Sequence, residues 1–209
     1  MQKAVTFIPA SCTGSFSWSK IYGREQNRQQ SPNAFCPCIP TKGLFLMTEF
    51  NEIKLSRREL LEAKVSDILS HISSPAERTQ ASAHLFGTAR MAVLIAKKRG
   101  LNEDLAYLTG LLHDLWRYKT GISGEHGPNG AVLAGSLIDS TGLFTKAERE
   151  MICGAIYFHS EKSRRHLPFD ELLKDADILD RMLAEPDEKM TGADAERAKH
   201  LSLEFMSRS

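Results

Sequence analysis

No run of about 18 apolar residues, the length that would span a bilayer as a helix, occurs in this sequence. Neither charge is in excess: 27 Lys and Arg against 26 Asp and Glu leave a formal net charge of +1. The broad electrostatic pull that draws a basic protein to a nucleic-acid duplex or an anionic membrane surface is therefore absent. Cysteine is scarce, with four in 209 residues. Cys36-Pro-Cys38 has no second pair to complete a structural zinc site. Cys12, Cys36 and Cys38 read as reduced thiols, and Cys153 as a small core residue. Strand patterns are nearly missing, and there is no internal repeat. Ala4–Ala10 is apolar but short and interrupted by Pro9, a poor signal peptide. The sequence thus predicts a cytoplasmic protein with no membrane partner and no duplex to bind.

What remains is an ordinary globular composition, 42% apolar and 25% charged, long enough for one domain with a real core. Residues 1–46 are rich in Ser, Gln, Pro and Gly, carry a basic excess and show no helical or strand period. They are expected to be a disordered extension, with Met47 as an alternative start. Residues 47–209 read as one helical domain. The predicted helices cover Leu55–Ile72, a segment entered by Ser74-Pro75 and stopped at Gly100, and 102–119 capped by Asn102. Further helices follow Pro128, follow Thr145 with Glu148 at the capping-box position, run from Pro168 to just before Pro186, and span Ala193–Met206. The fold class is all-α, a helical bundle.

Several polar residues fall where these helices should be buried. His84 lies near the start of an apolar stripe. His113 and Asp114 arrive straight after Leu111 and Leu112, and His126 sits among glycines just before a predicted helix. His159 shares the face of Ala155 and Ile156, and Asp177 that of Leu173. Desolvating a neutral polar group unpaired costs on the order of 2–7 kcal/mol, and a charge more. A shared metal cluster at the centre of the bundle cancels these costs together. It also explains the adjacency of His113 and Asp114: one serves a single ion while the other bridges two.

The segments "AHLFGTARMAVLIAKKRGLNEDLAYLTGLLHDLWRYKTG", "EHGPNGAVLAGSLI", "ICGAIYFHSE" and "LLKDADILDRM", which cover roughly residues 80–183, resemble the HD superfamily of metal-dependent phosphohydrolases. The resemblance implies an HD-type bundle and a core ligand set of His84, His113, Asp114 and Asp177. Asp177 is preferred to Asp175, which would point about 160° away around the helix. His126 and His159 match the extra histidines of the two-metal subgroups, most closely the HD-type diadenosine tetraphosphate hydrolases. Arg117 stands where the HD-x-x-K pattern has Lys, and the residues after Asp177 differ from those hydrolases. The glycine-proline signature of the cyclic-di-nucleotide subgroup is absent, which argues against that activity.

The implied reaction is hydrolysis of a phosphoester or phosphoanhydride in a small phosphorylated substrate, a nucleotide or dinucleotide, by a metal-activated hydroxide. A mixed imidazole and carboxylate set suits one or two divalent transition ions, Fe, Mn, Zn or Ni rather than Mg. Asp114 and Arg117 are the catalytic candidates, and Arg117, Lys119 and Lys162 the candidates for binding phosphate. Trp116 is expected to pack at the rim of the site. Arg164, Arg165, His71, His166 and His200 read as surface residues. Two alternatives keep the same ligands: a mixed-valent di-iron oxygenase and a non-catalytic ligand sensor. The oligomeric state stays open, a homodimer included.

Overall fold

Capping chemistry sets the element boundaries in the computed structural model, which describes residues 55–206. The predicted disorder of 1–46, the start at Met47 and the three N-terminal cysteines lie outside the described residues. Ser56 and Glu59 form a reciprocal capping box on α1 (Arg57–Ser70). In α2 (Pro75–Arg99), the Ser74 side chain accepts from the Glu77 amide and Pro75 occupies the first turn. The same helix ends on Lys97, Lys98 and Arg99, where cations favour the helix dipole, and stops at Gly100 in the left-handed region (φ 67°). Asn102 caps α3 (Glu103–Leu112), and α4 (Leu115–Thr120) follows at once. The chain continues through α5 (His126–Asp139), α6 (Lys146–Phe158) with its Thr145/Glu148 box, α7 (Pro168–Ala184) and α8 (Gly192–Leu201). A π turn over Ser202–Met206 closes the described residues.

Among the described residues there is no strand, and no helix is long and apolar enough to cross a membrane. Three boundaries differ from expectation. The predicted helix over 102–119 breaks at His113-Asp114, where Asp114 leaves the helical region (φ −105°, ψ 8°). His126 is the first residue of α5 rather than a residue ahead of it. The last predicted helix is shorter, with α8 passing into the π turn at Ser202.

α2 packs against both α3 and α7, and α5 against α6. Leu61, Leu85, Ile95, Leu108, Leu111, Ile152, Ile156, Leu172 and Leu173 are fully buried in one cluster. Each contributes on the order of 1.5–3 kcal/mol of burial. Cys153 packs partly buried against this core. Small residues let α3 approach α2 closely: a Cβ at Gly110 would fall 2.7 Å from Ala89 Cα and 2.8 Å from Ala89 N. Arg57 ties α1 to its neighbours through Asp104 and through Glu148 at 2.8 Å. This packing brings the end of α3 against the middle of α2 and turns one face of α7 toward both.

Candidate metal centre

Each predicted ligand comes from a different place in the bundle. His84 lies within α2, His113 ends α3, Asp114 precedes α4, His126 opens α5, His159 ends α6 and Asp177 lies in α7. Their tips converge. His84 Nε2 is 3.2 Å from His113 Nε2, 3.6 Å from Asp177 Oδ1 and 3.8 Å from Asp114 Oδ2. His113 Nε2 is 3.9 Å from Asp114 Oδ2. The other oxygen of Asp114 faces the remaining imidazoles: Oδ1 is 3.6 Å from His126 Nε2 and 3.2 Å from His159 Nε2. Two donor groups, His84/His113/Asp177 and His113/Asp114/His159, each have their ligand atoms within 4.8 Å of one another.

The tautomers follow from the Nδ1 partners. His113 Nδ1 meets Gly110 O at 2.8 Å, His126 Nδ1 meets Ser123 O at 2.7 Å, and His159 Nδ1 meets Ile156 O at 2.7 Å. A carbonyl only accepts, so each of these nitrogens carries the proton and donates. A ring held this way has, in its neutral form, the Nε2 lone pair to offer. His159 Nε2 faces Asp114 Oδ1 at 3.2 Å, and Asp114 Oδ1 is buried without a hydrogen bond. Two converging lone pairs repel unless a cation lies between them. That arrangement fits a metal: ligand imidazoles have their other nitrogen fixed by an acceptor. His113 offers one nitrogen to the centre, whereas the two oxygens of Asp114 face two separate imidazole pairs.

The charges of His113 and of the two carboxylates agree with this donor set. Burial, helped by the neighbouring imidazoles of His84 and His159, pulls His113 down to about 4, so it is neutral at pH 7. Burial opposes ionisation of Asp114, but the imidazoles around it, His113 first, hold it well below the usual carboxylate range. Asp177 is likewise depressed: burial opposes, and Lys162, His113 and His84 outweigh it.

The model of the HD domain family matches residues 82–182, which include all of these side chains. This chain carries an HD domain. A solved structure, that of a predicted HD superfamily hydrolase from an uncultured Thermotogales bacterium, is similar to it. The two are 25% identical with a TM-score of 0.50, over 72% of this chain and 88% of that one. No curated protein matches the chain.

The HD domain opens its centre into a cleft of about 680 Å³, within the usual size of a small-molecule site. Arg117 and Lys162 line this cleft together with Tyr118, Asp180 and Arg181. The Arg117 guanidinium donates to Asp114 Oδ2 at 3.1 Å, and its side chain is 46% exposed. Lys162 Nζ donates to Asp177 Oδ2 at 2.5 Å. Lys119, the third phosphate-binding candidate, is exposed and does not line the cleft, because two residues along a helix from Arg117 is a turn of about 200°. Trp116 is partly buried beside the site and does not line it. Asp175 points elsewhere, paired with Arg99 and Arg197 at 2.8 Å each.

Three residues of the site's surroundings are absent from the sequence reading. Asp180 Oδ2 accepts from His84 Nδ1 at 2.9 Å, and its place three residues after Asp177 was the available signal. Tyr118 stacks edge-on toward His84 at 6.2 Å, and burial, then Asp114, pushes its hydroxyl up to about 12. Lys174 is fully buried, donating to Arg164 O and Glu171 Oε1 at 2.9 Å each and to His166 Nδ1 at 2.5 Å. His166 is thus no bare surface residue: it is partly buried, bound to Lys174 and stacked on Phe158 at 4.3 Å. His71 and His200 are exposed, as expected.

Proposed function

We propose that this HD domain is a metal-dependent phosphohydrolase acting on a small phosphorylated molecule, a nucleotide or dinucleotide. The observation that carries the reading is the Asp114 carboxylate, with one oxygen toward His84 and His113 and the other toward His126 and His159. This donor set would hold one or two ions, with His84, His113, Asp114 and Asp177 as one group of ligands and Asp114, His126 and His159 as the other. A divalent transition metal bound there would lower the pKa of water toward neutrality and offer positive charge to phosphoryl oxygens.

The chain's own residues supply the rest. The half-exposed Arg117 fork is free to leave Asp114 for a phosphate, whose geometry it matches in bidentate fashion. Lys162 holds Asp177 ionised and adds a second cation to the cleft wall. The Tyr118 hydroxyl keeps its proton at neutral pH and so offers a donor at the cleft. The similarity to a predicted HD superfamily hydrolase supports the hydrolytic class.

Elemental analysis of the purified protein, followed by phosphate release from a nucleotide and dinucleotide panel with the metal found, tests the reading. Metal-dependent phosphate release is the expected result. Oxygen consumption with a mixed-valent iron spin-resonance signal assigns the oxygenase chemistry instead. Metal and nucleotide binding without turnover assigns a sensor.

A further inference from the structure

Three of the imidazoles obtain their Nδ1 acceptor locally, each from a carbonyl three residues back: Gly110 for His113, Ser123 for His126 and Ile156 for His159. Two of these carbonyls belong to the last turn of α3 and of α6, where carbonyls have no helical partner of their own. His84 has no such source. It lies in the interior of α2, where the neighbouring carbonyls are committed to the helix. Its acceptor must come from another helix, and it is Asp180 of α7, 96 residues away in the chain.

Gly87 makes that reach possible. It stands one turn after His84 on the same face of α2, inside a helix, where glycine is costly. A Cβ at Gly87 would overlap Asp180 Oδ1, with Asp180 Cγ 2.9 Å away. The two helices therefore meet through two matched pairs, His84 and Gly87 on α2 against Asp177 and Asp180 on α7. Asp177 Oδ1 faces His84 Nε2 at 3.6 Å, and Asp180 Oδ2 accepts from His84 Nδ1 at 2.9 Å.

The geometry points to Asp180 as the positioning residue of the His84 metal ligand, seated in a notch that Gly87 leaves open. The inference rests on the metal-centre reading. Asp180 fixes the proton on Nδ1 and the plane of the ring, so the lone pair of Nε2 stays aimed at the centre. Gly87 does nothing to the metal directly; its missing side chain is what lets Asp180 approach.

Titration of the metal-free full chain with Co(II), followed by visible absorption, tests this with Asp180→Ala, Asp180→Asn, Gly87→Ala and the double variant Gly87→Ala/Asp180→Ala. Asp180→Ala should weaken Co(II) binding about 10–100-fold and alter the absorption band. Asp180→Asn, which still accepts from Nδ1, should recover most of the affinity. Gly87→Ala should approach the loss seen with Asp180→Ala, and the double variant should lose no more than Asp180→Ala alone. With the carboxylate gone, Ala at 87 relieves a helix defect and should raise the melting midpoint by about 2–4 °C over Asp180→Ala. Wild-type affinity in Asp180→Ala or Gly87→Ala, or multiplying losses in the double variant, overturns the assignment. A wild-type chain that takes up no Co(II) overturns the metal-centre reading itself, and the positioning role with it.

Discussion

Gly110→Ala sets two effects against each other, and the structure decides between them. Alanine is the better helix former by about 0.8–1.0 kcal/mol, so the change in isolation would stabilise α3. The new methyl carbon would meet Ala89 Cα at 2.7 Å, Ala89 N at 2.8 Å and Thr88 O at 2.9 Å. All three are backbone atoms of α2, which cannot rotate away as a side chain would. Overpacking of a tight core costs about 1–3 kcal/mol, and rigid neighbours place this site at the upper end. The net expectation is a loss of about 2 kcal/mol, a midpoint about 4–8 °C lower for a chain of this size. The displacement reaches the site, because His113 takes its Nδ1 acceptor from Gly110 itself and ends the same helix. Differential scanning calorimetry of metal-free protein reads the stability, and equilibrium dialysis with Mn(II) reads the centre, which should bind more weakly. A midpoint equal to or above wild type would refute the claim that α2 and α3 touch backbone to backbone here.

Other outcomes follow from the same geometry. His113→Ala and Asp114→Ala should each abolish phosphate release and lower the metal content measured by elemental analysis. Arg117→Ala should keep its metal while kcat/KM for the best phosphoester falls about 10–100-fold, a loss of about 1.4–2.8 kcal/mol in transition-state binding. Removing metal with a chelator should lower the melting midpoint, and adding Mn(II) back should raise it in a concentration-dependent way. Glu171 is held down at about 2 by Lys174, Arg197 and the His166 amide despite its burial. A depressed carboxylate stabilises the fold fully above its unfolded value of 4.5 and loses that contribution as pH falls toward 2. Glu171→Gln should therefore be less stable than wild type at pH 7, and the gap should narrow over that acid window in urea melts.

Helix starts were legible wherever a capping side chain marked them. Asn102 and the Thr145/Glu148 pair behave as their types require. The break between α3 and α4 was not legible, because Leu115 continues the apolar period and nothing in the residue types signals that Asp114 leaves the helix. The convergence of His84, His113, Asp114, His126, His159 and Asp177 was legible, since each fell on an apolar face, at the end of one, or, for His126, at a helix entrance. Asp180 offered only its spacing of three from Asp177, because its role exists across the α2–α7 contact. Lys119 shows the opposite failure: proximity in sequence to Arg117 does not survive the rotation of a helix. Lys174 and His166 are eight positions apart, and only the fold makes them partners.

The carbonyls that anchor His113 and His159 have a use beyond this chain. A helix that ends on histidine brings its own orienting acceptor, so a fragment of a few residues is a self-contained ligand that could be transplanted to another bundle. The imidazole at 84 is not portable in that sense. A designer who copied it without the facing helix would inherit a ring free to spin.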